Sequence, residues 1–213
     1  HFLRFRRQAE HSLPFIRLGF LADQEPPLDH RVCYLVDRGM RQAERAEERD
    51  GPSLSAAASW ARECAGVLVA GSISERIAGD VRAFNTCVVF GTDGAALATY
   101  RKIHLFDVEV GGHVYRESDA TRAGDEVVCV DIGGQRLGLS ICYDLRFPEL
   151  YRALASDGAD MISVPAAFTD VTGAAHWEVL LRARAIENQA AVLAAGQVGM
   201  HATGTASYGH SMI

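Results

Sequence analysis

The rhythm of apolar and polar positions changes along this chain, and each change marks an element. Residues 54–64 are alanine-rich and follow turn chemistry at Asp50-Gly51-Pro52-Ser53, which predicts a helix ended by Gly66. The apolar run 67–70 predicts a short strand. Stretches 85–90 and 95–100 flank Gly91-Thr92-Asp93-Gly94 and read as a hairpin. Residues 127–132 and 135–141 repeat that arrangement around Gly133-Gly134. Between the two pairs, Gly111 to Asp125 reads as a polar, glycine-containing loop. Helices are predicted at 147–156, stopped near Gly158, and at 174–189, where Trp177, Leu180, Leu181 and Ile186 fall on or near one face. Strands at 161–164 and 190–195 alternate with them. Paired strands followed by alternating strands and helices predict a layered α/β domain with sheets buried on one or both sides.

The first fifty residues break this pattern. They hold nine of the twenty arginines, the pair Pro26-Pro27, and a mixed-charge run from Arg41 to Asp50 that reads as a solvated helix or linker. Val32 to Val36 comes nearest to a buried strand. The chain therefore divides into an atypical segment, 1–49, and a domain, 50–213, with no repeat of solenoid length.

Composition narrows the classes. A chain of 213 residues with 48% hydrophobic and 23% charged residues is that of an ordinary soluble globular protein. A net charge of −6 offers no basic surface for nucleic acid. No apolar window is long enough for a membrane span, and the start of the chain lacks the basic-then-apolar order of a signal peptide. The five cysteines are scattered, odd in number and without a CxxC pair, so they read as reduced thiols in a cytoplasmic protein with no structural zinc. Of 21 basic residues only Lys102 is a lysine. A compact ammonium that donates in three directions and can shift its pKa is something arginine cannot supply, so Lys102 is a candidate for chemistry.

Cys142 is a second candidate. It follows the apolar run ending at Ile141, and Pro148-Glu149 suits a first helical turn, so Cys142 falls on a bend between strand and helix. A lone cysteine is more often a buried small hydrophobe. As a nucleophile it needs a group that lowers its pKa or takes its proton. A histidine such as His104 or His176, a metal, or a carboxylate base with an oxyanion-holding lysine would each serve. Cys142 has no ligand-spaced cysteine or histidine nearby, and only the third arrangement uses Lys102.

Several segments together carry a family likeness. They are residues 100–106 (Tyr-Arg-Lys-Ile-His-Leu-Phe), Arg116-Glu117-Ser118-Asp119, residues 141–149 (Ile-Cys-Tyr-Asp-Leu-Arg-Phe-Pro-Glu), His176-Trp177-Glu178 and Ala185-Ile186-Glu187-Asn188. In order and spacing, from about residue 50 to 213, they resemble the motifs of the nitrilase superfamily of carbon–nitrogen hydrolases. Residues 107–110 and 207–212 are most similar to the branch that hydrolyses deaminated glutathione, with the omega-amidase branch close behind. The resemblance implies a four-layer α-β-β-α sandwich that pairs into homodimers and an amidase that uses no cofactor and no metal. It also implies a small amide substrate bearing a carboxylate. By motif, Cys142 is the nucleophile, Lys102 the oxyanion-side lysine and Glu117 a supporting glutamate, while the backbone N–H of Tyr143 is the other oxyanion donor. Arg146, Glu149, Glu178 and Arg182 read as helix-start and ion-pair residues, and Trp177 as core.

The likeness is incomplete. The family's general-base glutamate follows an early buried strand and a proline, and none of Glu10, Glu25, Glu44, Glu47 or Glu48 does so. Relatives also continue past the position of Ile213, so the fold is expected to be incomplete at both ends. The alternative to an active amidase is a catalytically impaired, nitrilase-like binding protein.

Overall fold

The computed structural model describes residues 16–19, 45–200 and 205–213. In chain order the elements are β1 (Ile16–Gly19), α1 (Pro52–Cys64), β2 (Val67–Arg76), β3 (Ala83–Phe90), β4 (Ala96–Arg101), β5 (Asp107–Val110), β6 (His113–Arg116), β7 (Thr121–Arg122), β8 (Cys129–Ile132) and β9 (Gln135–Leu139). There follow α2 (Pro148–Ser156), β10 (Met161–Ser163), α3 (Asp170–Asn188), β11 (Ala191–Leu193), β12 (Val198–Met200) and β13 (Ala206–Tyr208). Short 3-10 turns lie at Glu117–Asp119 and Cys142–Arg146.

Two-residue alternation in the strands sorts the side chains into layers. The first sheet has the order β1-β2-β3-β4, with β7 added beside β3. Its Val67, Val69, Cys87, Val89 and Tyr100 face Ile132, Leu137, Leu139, Met161 and Leu193 of the second sheet, ordered β11-β10-β9-β8. On the opposite face of the first sheet, Leu68, Ala70, Val88 and Phe90 pack on Leu54, Ala57 and Ala61 of α1. The outer face of the second sheet packs Ile162 and Val192 on Leu150 and Leu154 of α2 and Trp177 and Leu181 of α3. Helix, sheet, sheet and helix thus form the α-β-β-α sandwich that the resemblance implies. Gly138 lets α2 lie close on β9, since a Cβ there would stand 3.1 Å from Leu154 Cδ2 and 3.2 Å from Ala159 Cβ.

Several boundaries move for physical reasons. Helix α1 starts at Pro52, where a proline loses no hydrogen bond, and the Glu47 carboxylate accepts from Ser53 N–H at 2.9 Å and Ser53 Oγ at 2.7 Å. The chain leaves that helix through Ala65 in the left-handed region (φ 46°), one residue before Gly66. Strand β2 continues past Ala70 because β3 pairs with it as far as Arg76. The expected loop at 111–125 instead contributes β6, which pairs with β5 around Gly111-Gly112. These strands are half or more exposed, so no buried face imposes an alternation for the sequence to display. In α3, Trp177 and Leu181 are buried and Leu180 packs against them, but Ile186 is 77% exposed and Arg184 is buried instead. Residues 45–50, the end of the mixed-charge run, are not helical, and Glu47 forms a parallel bridge with Glu75. Val32–Val36 lies outside the described residues. The strand found ahead of residue 50 is β1, parallel to Val67–Ala70. None of the helices is long and apolar enough to cross a membrane among the described residues.

Candidate active site

The bend at Cys142 is built from the main chain outward. Strand β9 runs parallel to β10, and beyond its end Ser140 N–H donates to Ser163 O at 3.2 Å and Cys142 N–H to Pro165 O at 2.9 Å. Cys142 itself sits at φ 49°, a left-handed conformation that L side chains rarely adopt. The 3-10 turn it opens is closed by Asp144 N–H donating to Ile141 O at 3.1 Å and Phe147 N–H to Asp144 O at 2.9 Å. Helix α2 then starts at Pro148, with Glu149 exposed in its first turn.

Lys102 directly follows β4. Its N–H donates to Asn85 O and its carbonyl accepts from Gly124 N–H, each at 2.8 Å. A side chain at Gly124 would collide with Arg101 O at 2.3 Å, so glycine is what permits that approach. Lys102 is 2% exposed, and its Nζ lies 2.5 Å from Glu117 Oε2. Glu117 also accepts from Phe106 N–H at 2.6 Å and from Asn85 Nδ2 at 3.1 Å.

The two turns meet where the inter-sheet core adjoins the core beneath α2 and α3: Ile103, next to Lys102, and Cys142 pack against both. Burial pushes the Cys142 thiol above its ordinary pKa; Glu117 and Asp144 add to that, while the Lys102 ammonium and the Ala167 N–H oppose it. Burial likewise pushes Lys102 down, but Glu117, Cys142 and Asp144 together more than reverse this, so the lysine ends above its usual value. The resting arrangement is a protonated thiol beside a firmly held ammonium.

Cys142, Lys102 and Glu117 are therefore brought together, and Tyr143 follows the cysteine in the turn, its ring edge-on to Phe106 at 5.0 Å and Phe147 at 5.5 Å. Two buried partners escaped the sequence reading. Asn85 holds both Lys102 and Glu117, and Asp144 lies beneath the bend; each is a polar side chain at a core position, a signal that appears only once burial is known. His104 is committed to Asp144 through Nδ1 at 2.8 Å and stacks on Phe147 at 3.7 Å, while His176 is exposed and contacts Arg146. Arg146, read as an ion-pair residue, has no carboxylate partner among the described residues; its guanidinium lies 5.9 Å from the Tyr143 ring and 5.5 Å from the Phe168 ring. Glu178 and Arg182 do pair, at 2.7 Å on the surface of α3, and Trp177 is fully buried.

No group of three His, Cys, Asp or Glu side chains among the described residues could hold a metal ion. Of the early glutamates, Glu10, Glu25 and Glu44 lie outside the described residues. Glu47 is engaged with Ser53, and Glu48 faces Arg76 at 3.7 Å.

A four-layer sandwich with a cysteine at a strand-to-helix bend and a buried lysine–glutamate pair defines a class, and comparison with known proteins agrees. The carbon-nitrogen hydrolase family model matches residues 33–213, and the chain belongs to that family. It is 53% identical over 127 residues to a deaminated glutathione amidase of Yersinia enterocolitica, covering 59% of this chain and 44% of that protein. With the omega-amidase of Homo sapiens it shares 43% identity over 171 residues, covering 80% and 61%. Among solved structures, the NitFhit protein of C. elegans superposes with a TM-score of 0.75 at 44% identity, covering 82% of this chain and 43% of that one. The chain thus spans about half the length of such relatives.

Proposed function

We propose that this chain is an amidase that hydrolyses a small carboxylate-bearing amide, of the deaminated-glutathione or 2-oxoglutaramate kind, through a thioester on Cys142. The observation that carries the reading is the buried Lys102–Glu117 pair beside a thiol held on a strained bend. In this mechanism a general base, not assigned among the described residues, takes the Cys142 proton as the sulfur attacks the amide carbonyl carbon. Lys102 Nζ and the Tyr143 N–H receive the negative charge that develops on the oxygen. Collapse of the tetrahedral species breaks the C–N bond as the base returns that proton to the leaving nitrogen. Water, giving up a proton to the same base, then cleaves the thioester to leave the acid and, once that proton passes to the sulfur, the free thiol. Glu117 keeps the ammonium charged and aimed. No cofactor enters these steps. Homodimeric assembly and a cytoplasmic location complete the proposal, the first implied by the family likeness and the second in keeping with free cysteines.

Arg146 supports the substrate class. A half-buried guanidinium four residues from the nucleophile, set between two aromatic rings and with no carboxylate partner among the described residues, suits a carboxylate brought by the substrate. Two amides that differ only in a terminal carboxylate test this. The charged one is expected to be hydrolysed on the order of a hundredfold faster, as a charge-assisted contact allows. Arg146→Met should erase most of the difference; a preference unchanged in that variant would remove Arg146 from the reading.

One observation favours a second reading, that of an impaired binding protein. Glu117 accepts from three donors and Asp144 from four, so both carboxylates acting on the thiol are engaged. Mass spectrometry after brief incubation with an amide separates the two. A thioester adduct that maps to Cys142 and disappears in Cys142→Ala supports the amidase; binding without adduct or turnover supports the other.

A further inference from the structure

Asp144 has no part in the steps above, yet it is fully buried and accepts four hydrogen bonds. Oδ2 takes the Tyr100 hydroxyl at 2.7 Å and the Ile141 N–H at 2.9 Å. Oδ1 takes the His104 N–H at 3.0 Å and the His104 ring Nδ1 at 2.8 Å, which must be the protonated nitrogen because a carboxylate only accepts. These donors come from two separate places. Ile141 immediately precedes the nucleophile, whereas Tyr100 and His104 bracket Lys102 by two residues on each side. The His104 ring also lies flat on Phe147, at an interplanar angle of 9°, tying the same two segments together a second time.

We propose that Asp144 is a positioning residue that sets the geometry between Lys102 and Cys142, one oxygen fixing the bend before the cysteine and the other the segment after the lysine. This rests on the reading of Cys142 and Lys102 given above. A role through charge alone fits poorly, because a negative group beside the thiol works against forming the thiolate. The carboxylate is instead suited to holding parts in place. Four donors converge on it, and an amide in its position would turn an NH2 toward N–H groups that need acceptors.

The test is a double-mutant cycle read by the rate at which iodoacetamide alkylates Cys142, located by peptide mapping, in the full chain. If Asp144 aligns Lys102 with the thiol, Asp144→Asn lets the ammonium drift away and the thiolate fraction falls. Alkylation at pH 8 is expected to slow about tenfold. Lys102→Met should slow it similarly, and the double variant should be little slower than either. Faster alkylation in Asp144→Asn would show that Asp144 acts by charge and would overturn the proposal. So would effects that simply multiply in the double variant, or no effect at all. Should Asp144→Asn fail to fold, Tyr100→Phe, which removes one donor and keeps the ring, is expected to slow alkylation two- to threefold in the wild-type background and not in Lys102→Met. An unchanged rate in Tyr100→Phe would then overturn the proposal. In amide hydrolysis Asp144→Asn should lower kcat with KM nearly unchanged. Because alkylation needs no turnover, a chain that cleaves no amide would fail the functional reading while the cycle still decides the role of Asp144.

Discussion

Two turns at the same end of the sandwich hold the candidate chemistry, and they are built in opposite ways. After β4, Lys102 is held by charge: a buried ammonium meets a buried carboxylate, which is itself steadied by Asn85 and the Phe106 N–H. After β9, Cys142 is held by the backbone: its N–H bonds to Pro165 O, its turn closes on Ile141, and its φ is positive. One turn stores electrostatic energy and the other conformational strain. The difference teaches that a thiol on a main-chain bend, braced by the Asp144 carboxylate at the Ile141 N–H, needs no counter-charge of its own, whereas a dry ammonium must bring one with it.

That contrast can be broken by experiment. The largest effect is expected from Glu117→Gln, which strands a buried ammonium; breaking such a pair destabilises by roughly 3–5 kcal/mol, visible as a lower urea midpoint. The pH dependence has a definite sign. Because Lys102 titrates above its ordinary value in the folded chain, the pair's contribution is fully present below about pH 10, the unfolded lysine range, and is lost as pH rises through the folded value. Glu117→Gln should flatten that alkaline loss, and an unaltered alkaline limb would show that the pair does not hold the turn. Next comes Lys102→Arg, which keeps the charge but replaces a point donor by a planar fork. Its kcat is expected to drop on the order of a hundred- to a thousandfold, about 3 kcal/mol, and full activity would reduce Lys102 to a mere counter-charge. Smallest is Glu178→Ala: its pair with Arg182 is exposed on both sides, so stability should change by less than about 0.5 kcal/mol and hydrolysis not at all. A larger loss would mean that burial is not what separates these ion pairs.

Much of this was legible from residue patterns. The two hairpins, α2, α3 and the bend at Cys142 all announce themselves through turn residues, a helix-start proline and apolar runs, and the resemblance then pairs Lys102 with Glu117. Other features were not legible, for particular reasons. The hairpin β5–β6 is too exposed to leave an alternating pattern. Ile186 looks like core, but the helix turns Arg184 inward, where its guanidinium nitrogens Nε and Nη2 donate to Leu145 O at 3.1 and 2.9 Å. Asn85 and Asp144 are ordinary polar letters until the fold buries them, and Arg146 reads as a salt-bridge residue until His176 and two aromatic rings, and no carboxylate among the described residues, are found beside it. Strand β1 is four residues long and interrupted by an arginine, which leaves periodicity nothing to detect.

The left-handed backbone at Cys142 has one more consequence. At this position the residue that the fold would find most comfortable and the residue that the proposed reaction requires are different. Glycine would relax the bend, and every other L residue inherits its strain. A Cys142→Gly chain is therefore expected to gain stability while losing the sulfur that the proposed acyl transfer needs.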